Sequence, residues 1–163
     1  MNSTTKRAFL YRFGRDALEC IVNPSVYLCD GHIEVLTTDG TLHCVSYEEV
    51  KAICFFSSPG PADLFISHTA FERRPKMPGL WARFTFRDGD RLEGVLPRNL
   101  LEWPATGYLI TPPRAAASRQ RVFLPRAALT GTELLGVMGV ARVPVRRPQP
   151  VEASSRQLTI FDP

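Results

Sequence analysis

The sequence predicts a mainly-β protein of two tandem, small, five-stranded barrel-like modules with short helical turns and an extended C-terminal tail. Three observations predict this fold. Short apolar runs bounded by Gly, Asp and Pro alternate apolar with polar residues, which is typical of strands. No stretch keeps a helical period over three turns. An internal repeat places the same order of runs and turns in residues 9–56 and 81–137.

The first copy begins with a hairpin and then continues with three more short runs. Asp39-Gly40 suits a tight turn, because Gly accepts positive φ at little cost. A short polar turn at residues 47–50 precedes the last run and predicts a single helical turn. The predicted strands are residues 9–13, 17–22, 30–36, 42–46 and 52–56.

The second copy repeats this order, with Leu92-Glu93 at the place of Leu18-Glu19. Asp88-Gly89 predicts its first hairpin turn, and residues 125–129 predict the single helical turn before the last strand. Five strands of this length hide their edges by curling into a small barrel. The predicted strands are residues 81–86, 91–96, 106–110, 121–124 and 133–137.

The predicted domain boundaries follow from this repeat. The divisions are a first module at 1–56, a linker or excursion at 57–79, a second module at 80–139 and a flexible tail at 140–163. The linker contains four prolines, but its apolar residues, among them Phe71, predict that it packs against the body. The tail is rich in Pro and Arg and predicts an extended segment.

Composition and charge argue against a strong nucleic-acid binder, a secreted protein and a membrane protein. The net charge of +4 is spread along the chain, unlike the concentrated basic footprint of a strong nucleic-acid binder. The first residues lack the apolar stretch of a signal peptide, and no segment has the length of a membrane span. We therefore expect a cytoplasmic protein that does not interact with membranes. The sequence does not indicate its oligomeric state.

The cysteines and carboxylates predict neither a cofactor nor a catalytic site. Cys20, Cys29, Cys44 and Cys54 form no C-x-x-C pair and lie among apolar neighbours, so we expect reduced, buried thiols. A zinc site using His32 or His43 is the alternative, but paired ligand spacing is missing. The acidic pairs at 48–49 and 88–90 lie in predicted turns, where carboxylates are solvated. We therefore expect a non-catalytic protein without metal.

Residues 79–97, 107–112 and 121–129 resemble a family of uncharacterised bacterial proteins. The strand–Asp-Gly–strand–Glu-Gly pattern in the first of these segments is also similar to Sm-like and SH3-like small barrels. This resemblance covers roughly residues 9–139. It implies a binding fold and no particular activity, because such barrels bind RNA, peptides and proteins alike.

The C-terminal residues carry the clearest functional motif. Gln157-Leu158-Thr159-Ile160-Phe161 resembles the bacterial sliding-clamp-binding peptide, whose pattern is Gln-Leu-x-Leu/Ile-Phe. The resemblance implies that Gln157 anchors the peptide at the rim of a clamp pocket, Leu158 fills one subsite, and Ile160 with Phe161 fills a deeper one. It suggests an accessory factor of DNA replication or repair. Alternatively, the same residues form a terminal strand that completes the protein's own sheet.

Arginines are the remaining candidate contacts, either for nucleic acid or for a small ligand. Arg83 and Arg87 interleave with aromatic residues on one predicted strand, an arrangement that can stack bases and follow phosphates. Arg73-Arg74 is similar to the arginine-bearing switch of PilZ domains, which bind a cyclic dinucleotide, although the Asp-x-Ser-x-x-Gly segment of that family is absent. In the tail, possible DNA contacts are Arg142, Arg146 and Arg147.

Overall fold

Ten antiparallel strands make up most of the part of the chain that the structure describes. The structure is a computed structural model and describes residues 5–23, 31–56, 69–113 and 121–139. The strands of the first half are β1 (Lys6–Arg12), β2 (Arg15–Val22), β3 (His32–Thr37), β4 (Leu42–Ser46) and β5 (Val50–Phe55). Those of the second half are β6 (Gly79–Phe86), β7 (Arg91–Leu96), β8 (Gly107–Ile110), β9 (Arg121–Pro125) and β10 (Leu129–Met138).

The two halves repeat one strand order. The first half runs β4-β3-β2-β1-β5 within a seven-stranded sheet that continues to β9 and β8. The second sheet runs β10-β6-β7, and β7 reaches β8 through a single bridge between Val95 and Thr111. The missing side chain of Gly94 allows this close approach, because a Cβ there would lie 2.4 Å from the Cδ1 atom of Ile110. The order within the second half is therefore β9-β8-β7-β6-β10.

Strands β1, β5 and β9 separate two hydrophobic cores and supply side chains to both. Alternate residues of β5 enter different cores, with Ile53 in the first and Cys54 in the second. On β9, Phe123 packs in the first core, and its neighbours Val122 and Leu124 pack in the second. A strand with apolar residues on both faces reads as a continuous apolar run, which is how β5 and β9 look in the sequence.

The mainly-β fold class is confirmed, but the closure into barrels is wrong. The antiparallel sheets stay open, and β5 of the first half pairs directly with β9 of the second. Because β9 occupies this edge of β5, the edge is not available to close the first half on β4. The division of the chain at 57–79 stays a prediction, although the strands on either side of it share one sheet.

The turns follow the sequence closely. Gly40 and Gly89 have φ of 85° and 91°, as the two Asp-Gly hairpins require. The helical turn predicted at residues 47–50 is a hydrogen-bonded turn without a helix, in which the amide of Val50 donates to the Tyr47 carbonyl at 3.3 Å. The predicted helical turn of the second half is a 3₁₀ turn at Arg126–Ala128, and another 3₁₀ turn at Leu100–Glu102 was not predicted. Among the described residues, no helix has the length and apolarity to cross a membrane.

The prediction of buried cysteines needs one correction. Cys20 and Cys54 are buried, as expected, whereas Cys44 is exposed. Cys44 lies opposite Glu34 on the outer face of β3 and β4, where β4 is the last strand of its sheet. Cys29 lies outside the described residues.

Candidate functional site

A buried carboxylate organises the outer face of the second sheet. Glu93 on β7 is only 5% exposed and accepts a hydrogen bond from the indole Nε1 of Trp81 at 3.1 Å. Arg83 donates to the same carboxylate from Nε at 3.3 Å and from Nη2 at 3.0 Å. The hydrogen bonds to Glu93 raise the pKa of Arg83 above its ordinary value. Arg83 of β6 reaches Glu93 because the two residues are directly opposite each other in the β6–β7 ladder. Trp81 is two residues away on the same face of β6.

The end of the linker covers this carboxylate. The amide of Phe71 donates to Glu93 Oε2 at 3.1 Å, and the amide of Glu93 donates to the Thr69 carbonyl at 2.7 Å. The rings of Phe71 and Trp81 meet edge to face with centroids 6.3 Å apart. The prediction that Phe71 packs against the body is therefore confirmed, and Trp81 and Arg83 serve to hold the linker down.

A second charged cluster joins the two halves. Lys51 on β5 pairs with Asp88 at 2.6 Å and also with Asp90, both in the hairpin turn between β6 and β7. Burial disfavours the Lys51 ammonium, but its hydrogen bonds to the two aspartates outweigh this and raise its pKa. The guanidinium of Arg87 lies 4.0 Å from the centre of the Phe13 ring and donates to the Glu48 carbonyl. These acidic turn residues are thus partners of Lys51 rather than merely solvated groups.

Two arginines bond to the backbone where β10 ends, and two further cations lie close to one of them in the sequence. The Nη2 atom of Arg74 donates to the Val137 carbonyl at 3.2 Å, and Arg98 donates to the carbonyls of Met138, at 2.9 Å, and Gly139. The exposed side chains of residues 73 and 76 belong to the same segment as Arg74. None of the ion pairs found in the described ranges involves these cations. We call this set the basic cluster; its members are Arg73, Arg74, Lys76 and Arg98.

The long strand β10 borders an open side of the protein. It pairs with β6 and with no other strand in the part of the chain that the structure describes. Leu134 is 59% exposed and Val137 is 44% exposed. At the other end of β10, a shallow depression of about 230 Å³ is lined by Tyr108, Arg126, Leu129, Thr130, Gly131 and Thr132.

The structure separates the sequence-predicted arginines into two groups. Arg73 and Arg74 lie together in the basic cluster, whereas Arg83 and Arg87 are held in the contacts described above and stand apart from it. Lys76 and Arg98 were not predicted, and their only sequence signal is that each follows a proline, Pro75 or Pro97. Residues outside the described ranges are the tail arginines Arg142, Arg146 and Arg147 and the motif residues Gln157, Leu158, Ile160 and Phe161.

The aromatic residues beside Arg83 belong to the core rather than to a stacking surface. Phe84 and Phe86 are at most 1% exposed, and of the aromatic residues on this strand only Trp81 faces outward, beneath Phe71. Within the described ranges, no three His, Cys, Asp or Glu residues are grouped so that they could hold a metal ion.

Comparison with known proteins gives a family and no further relative. A model of a family of unknown function, DUF6982, matches residues 4–136. Neither a curated protein nor a solved structure matches the chain. The matched range contains all of β1 to β9 and most of β10, and the Gln157–Phe161 motif lies beyond it.

Proposed function

We propose that this chain, which belongs to the DUF6982 family of unknown function, is a non-catalytic cytoplasmic binding protein that docks on the bacterial DNA sliding clamp. One observation carries the proposal: Gln157, Leu158, Ile160 and Phe161 occur at the spacing of a clamp-binding peptide. The body then acts as the cargo that the peptide brings to DNA during replication or repair.

The chemistry of the motif suits a short docking peptide. Burial of Leu158, Ile160 and Phe161 in apolar subsites stabilises a complex by roughly 5 kcal/mol before costs. Ordering the peptide and losing its translational freedom offset part of this burial term, which alone falls short of the roughly 8 kcal/mol of micromolar binding. A Kd of about 1–10 μM therefore also requires the hydrogen bonds of Gln157 and of the peptide backbone. Gln157 adds hydrogen bonds that set the register.

The basic cluster supports a contact between the body and DNA. Two of its cations bond to the end of β10, Arg98 to the Gly139 carbonyl and Arg74 to the Val137 carbonyl, and from Gly139 the chain continues toward the motif. A clamp encircles DNA, so a body tethered to it through this segment is held near the phosphate backbone. Cations without carboxylate partners release counterions when they meet phosphates, which is the main source of non-specific affinity for DNA.

Clamp binding is tested by biolayer interferometry with the full-length protein and the sliding clamp of its own organism. We expect micromolar binding that falls at least about tenfold in the variant Gln157→Ala/Leu158→Ala/Phe161→Ala, because a loss of 1.4 kcal/mol is tenfold in Kd. Thr159→Ala is the matched control, since Thr159 takes the permissive spacer position. Absence of wild-type binding, or equal losses in the triple variant and the control, would refute clamp docking.

The DNA contact is tested by fluorescence anisotropy with a random-sequence duplex over a range of salt concentrations. The variant Arg73→Ala/Lys76→Ala removes two exposed cations and leaves Arg74 and Arg98 on the end of β10. We expect the slope of log K against log salt to decrease in size by about 2, since each phosphate contact contributes roughly 0.9.

Arg91→Ala is the matched control for this measurement. Arg91 is an exposed arginine opposite Thr85, at the other end of the β6–β7 hairpin from Gly79. Equal effects of the control and the double variant would show that the attraction comes from overall charge and not from the basic cluster.

A further inference from the structure

Among the described residues, one edge of β10 has no partner strand, and such an edge can accept another strand. An edge strand presents unpaired backbone N–H and C=O groups to solvent, and such edges bind extended segments by forming a further ladder. Arg74 and Arg98 already occupy the carbonyls of Val137, Met138 and Gly139. Bulges interrupt the pairing with β6 between Leu129 and Gly131 and between Leu134 and Gly136. The regular part of the edge is therefore short, from Gly131 to Leu134.

The side chains beside this edge are apolar at one end. Leu134 is opposite Ala82, and Val137 is opposite Leu80, and both of these partners face the second core. Leu134 and Val137 thus continue the core face of the sheet beyond its last strand, where they remain substantially exposed. An added strand with apolar residues at alternate positions would cover them.

We propose that residues 157–161 of the same chain form this added strand and thereby withhold the clamp-binding motif from the clamp. The proposal rests on the proposed function, because it describes how clamp docking is regulated. Leu158 and Ile160 are two positions apart and share one face of a strand. The motif is also close in length to the regular part of the edge. Its side chains cannot occupy the β10 edge and the clamp pocket at once.

The direction of the chain after β10 and the charge of Asp162 both fit the placement of residues 157–161 along the β10 edge. The chain leaves β10 at its C-terminal end, so a segment that returns along the edge runs antiparallel to it. Leu158 and Ile160 then lie near Leu134 and Thr132, in the regular part of the edge, and Asp162 lies near Thr130 in the depression that contains Arg126. Arg126 donates to the Ala105 carbonyl at 3.0 Å and to the Tyr108 hydroxyl at 3.1 Å. It has no carboxylate partner within the described residues, so Asp162 would supply one.

The connection is long enough for this return. Residues 140–156 separate Gly139 from the motif, and the 10 residues of β10 span roughly 33 Å. A linker of such length holds its two ends at an effective concentration near millimolar. A weak edge contact with an intrinsic Kd of about 0.1–1 mM would then occupy the edge about half to nine tenths of the time. Clamp affinity would be reduced by about twofold to tenfold.

Two measurements on the full chain test the proposal. In hydrogen exchange, the amides of residues 131–135 that do not bond to β6 should lose protection in Leu158→Ala/Ile160→Ala. In interferometry, Leu134→Glu should bind the clamp about twofold to tenfold more tightly than wild type, because the edge no longer holds the motif. Leu42→Glu is the matched control, since Leu42 is 65% exposed on β4, the end strand of the other sheet.

The outcomes separate this inference from the proposed function. Equal clamp affinity of Leu134→Glu and wild type, with no change of protection in the motif variant, overturns strand addition and leaves clamp docking intact. Protection that persists in the motif variant and increases with protein concentration assigns the edge to a second copy of the chain and also overturns it. Loss of protection in the motif variant without any wild-type clamp binding supports strand addition and refutes clamp docking.

Discussion

Glu93 shows how burial changes the role of one residue type between the two copies of the repeat. Its counterpart Glu19 also pairs with an arginine of the preceding strand, Arg7, at 2.5 Å, but this pair is exposed. The Glu93 side chain is only 6% exposed because residues 69–71 lie over it. The repeat thus predicts that the two glutamates, each preceded by a leucine, occupy equivalent positions on the second strand of each copy. It does not predict burial, because the covering segment belongs to neither copy.

Glu93→Gln should destabilise the protein by about 2–3 kcal/mol. The carboxylate accepts hydrogen bonds from Trp81, Arg83 and Phe71, and an amide in its place would turn one acceptor atom into a donor facing another donor. Removing a charged, buried acceptor costs on this order. Urea unfolding followed by tryptophan fluorescence measures the effect, and Trp81 reports on the site directly.

Glu133→Gln is the control for this substitution. Glu133 pairs with the same arginine at 3.2 Å, but its side chain is 63% exposed. An exposed ion pair contributes about 0–1 kcal/mol, so we expect a change of roughly 0.5 kcal/mol or less. If the two glutamates cost the same, Glu93 would not be the organising group of this face.

At the scale of elements, the strands were predictable and their long-range partners were not. All ten predicted strands are present, because period-two alternation and Asp-Gly turns are local signals, and β3 shows the alternation of exposed and buried residues without a break. The hairpins β3–β4 and β6–β7 follow from those turns. The pairing of β5 with β9 joins residues that are nearly 70 positions apart, and no turn specifies it.

The apolar runs of β5 and β9 carried part of the missing information. Strands buried on both faces lose the alternation that marks a half-exposed strand. Residues 52–56 and 121–124 are such runs. They form β5 and β9, which lie between the two cores as a shared wall and contribute side chains to both. For the candidate site, the sequence supplied Arg73 and Arg74 and the motif. The position of β10 at the end of its sheet, as the described residues form it, could not be predicted, because it depends on which strand takes the place beside β5.

At the scale of the whole molecule, neither half builds its hydrophobic core from its own residues alone. Phe9, Tyr11 and Phe13 of the first half pack against the second core, and Phe123 of the second half packs in the first. The ion pairs of Lys51 with the β6–β7 turn add a further link. A protein with two independent modules would unfold in two steps, whereas a shared wall makes each core depend on the other.

We therefore expect one cooperative unfolding transition, observed by two probes placed in different halves of the protein. Trp81 and Trp103 are the only tryptophans, and both belong to the second half. Burial raises the pKa of the Cys20 thiol in the first core to about 12, which keeps it protonated and unreactive until the core opens. In urea, tryptophan fluorescence and site-resolved alkylation of Cys20 should have midpoints within about 0.3 M of each other.

Reciprocal core variants make the same prediction sharper. Phe123→Leu removes volume from the first core, and Phe84→Leu removes it from the second, where Phe84 is fully buried. Each change should cost roughly 1–2 kcal/mol. Because the wall between the cores is common, each variant should lower the midpoints of both probes together. If Phe84→Leu lowered the fluorescence midpoint and left the alkylation midpoint of Cys20 unchanged, the halves would be energetically separate despite their common sheet.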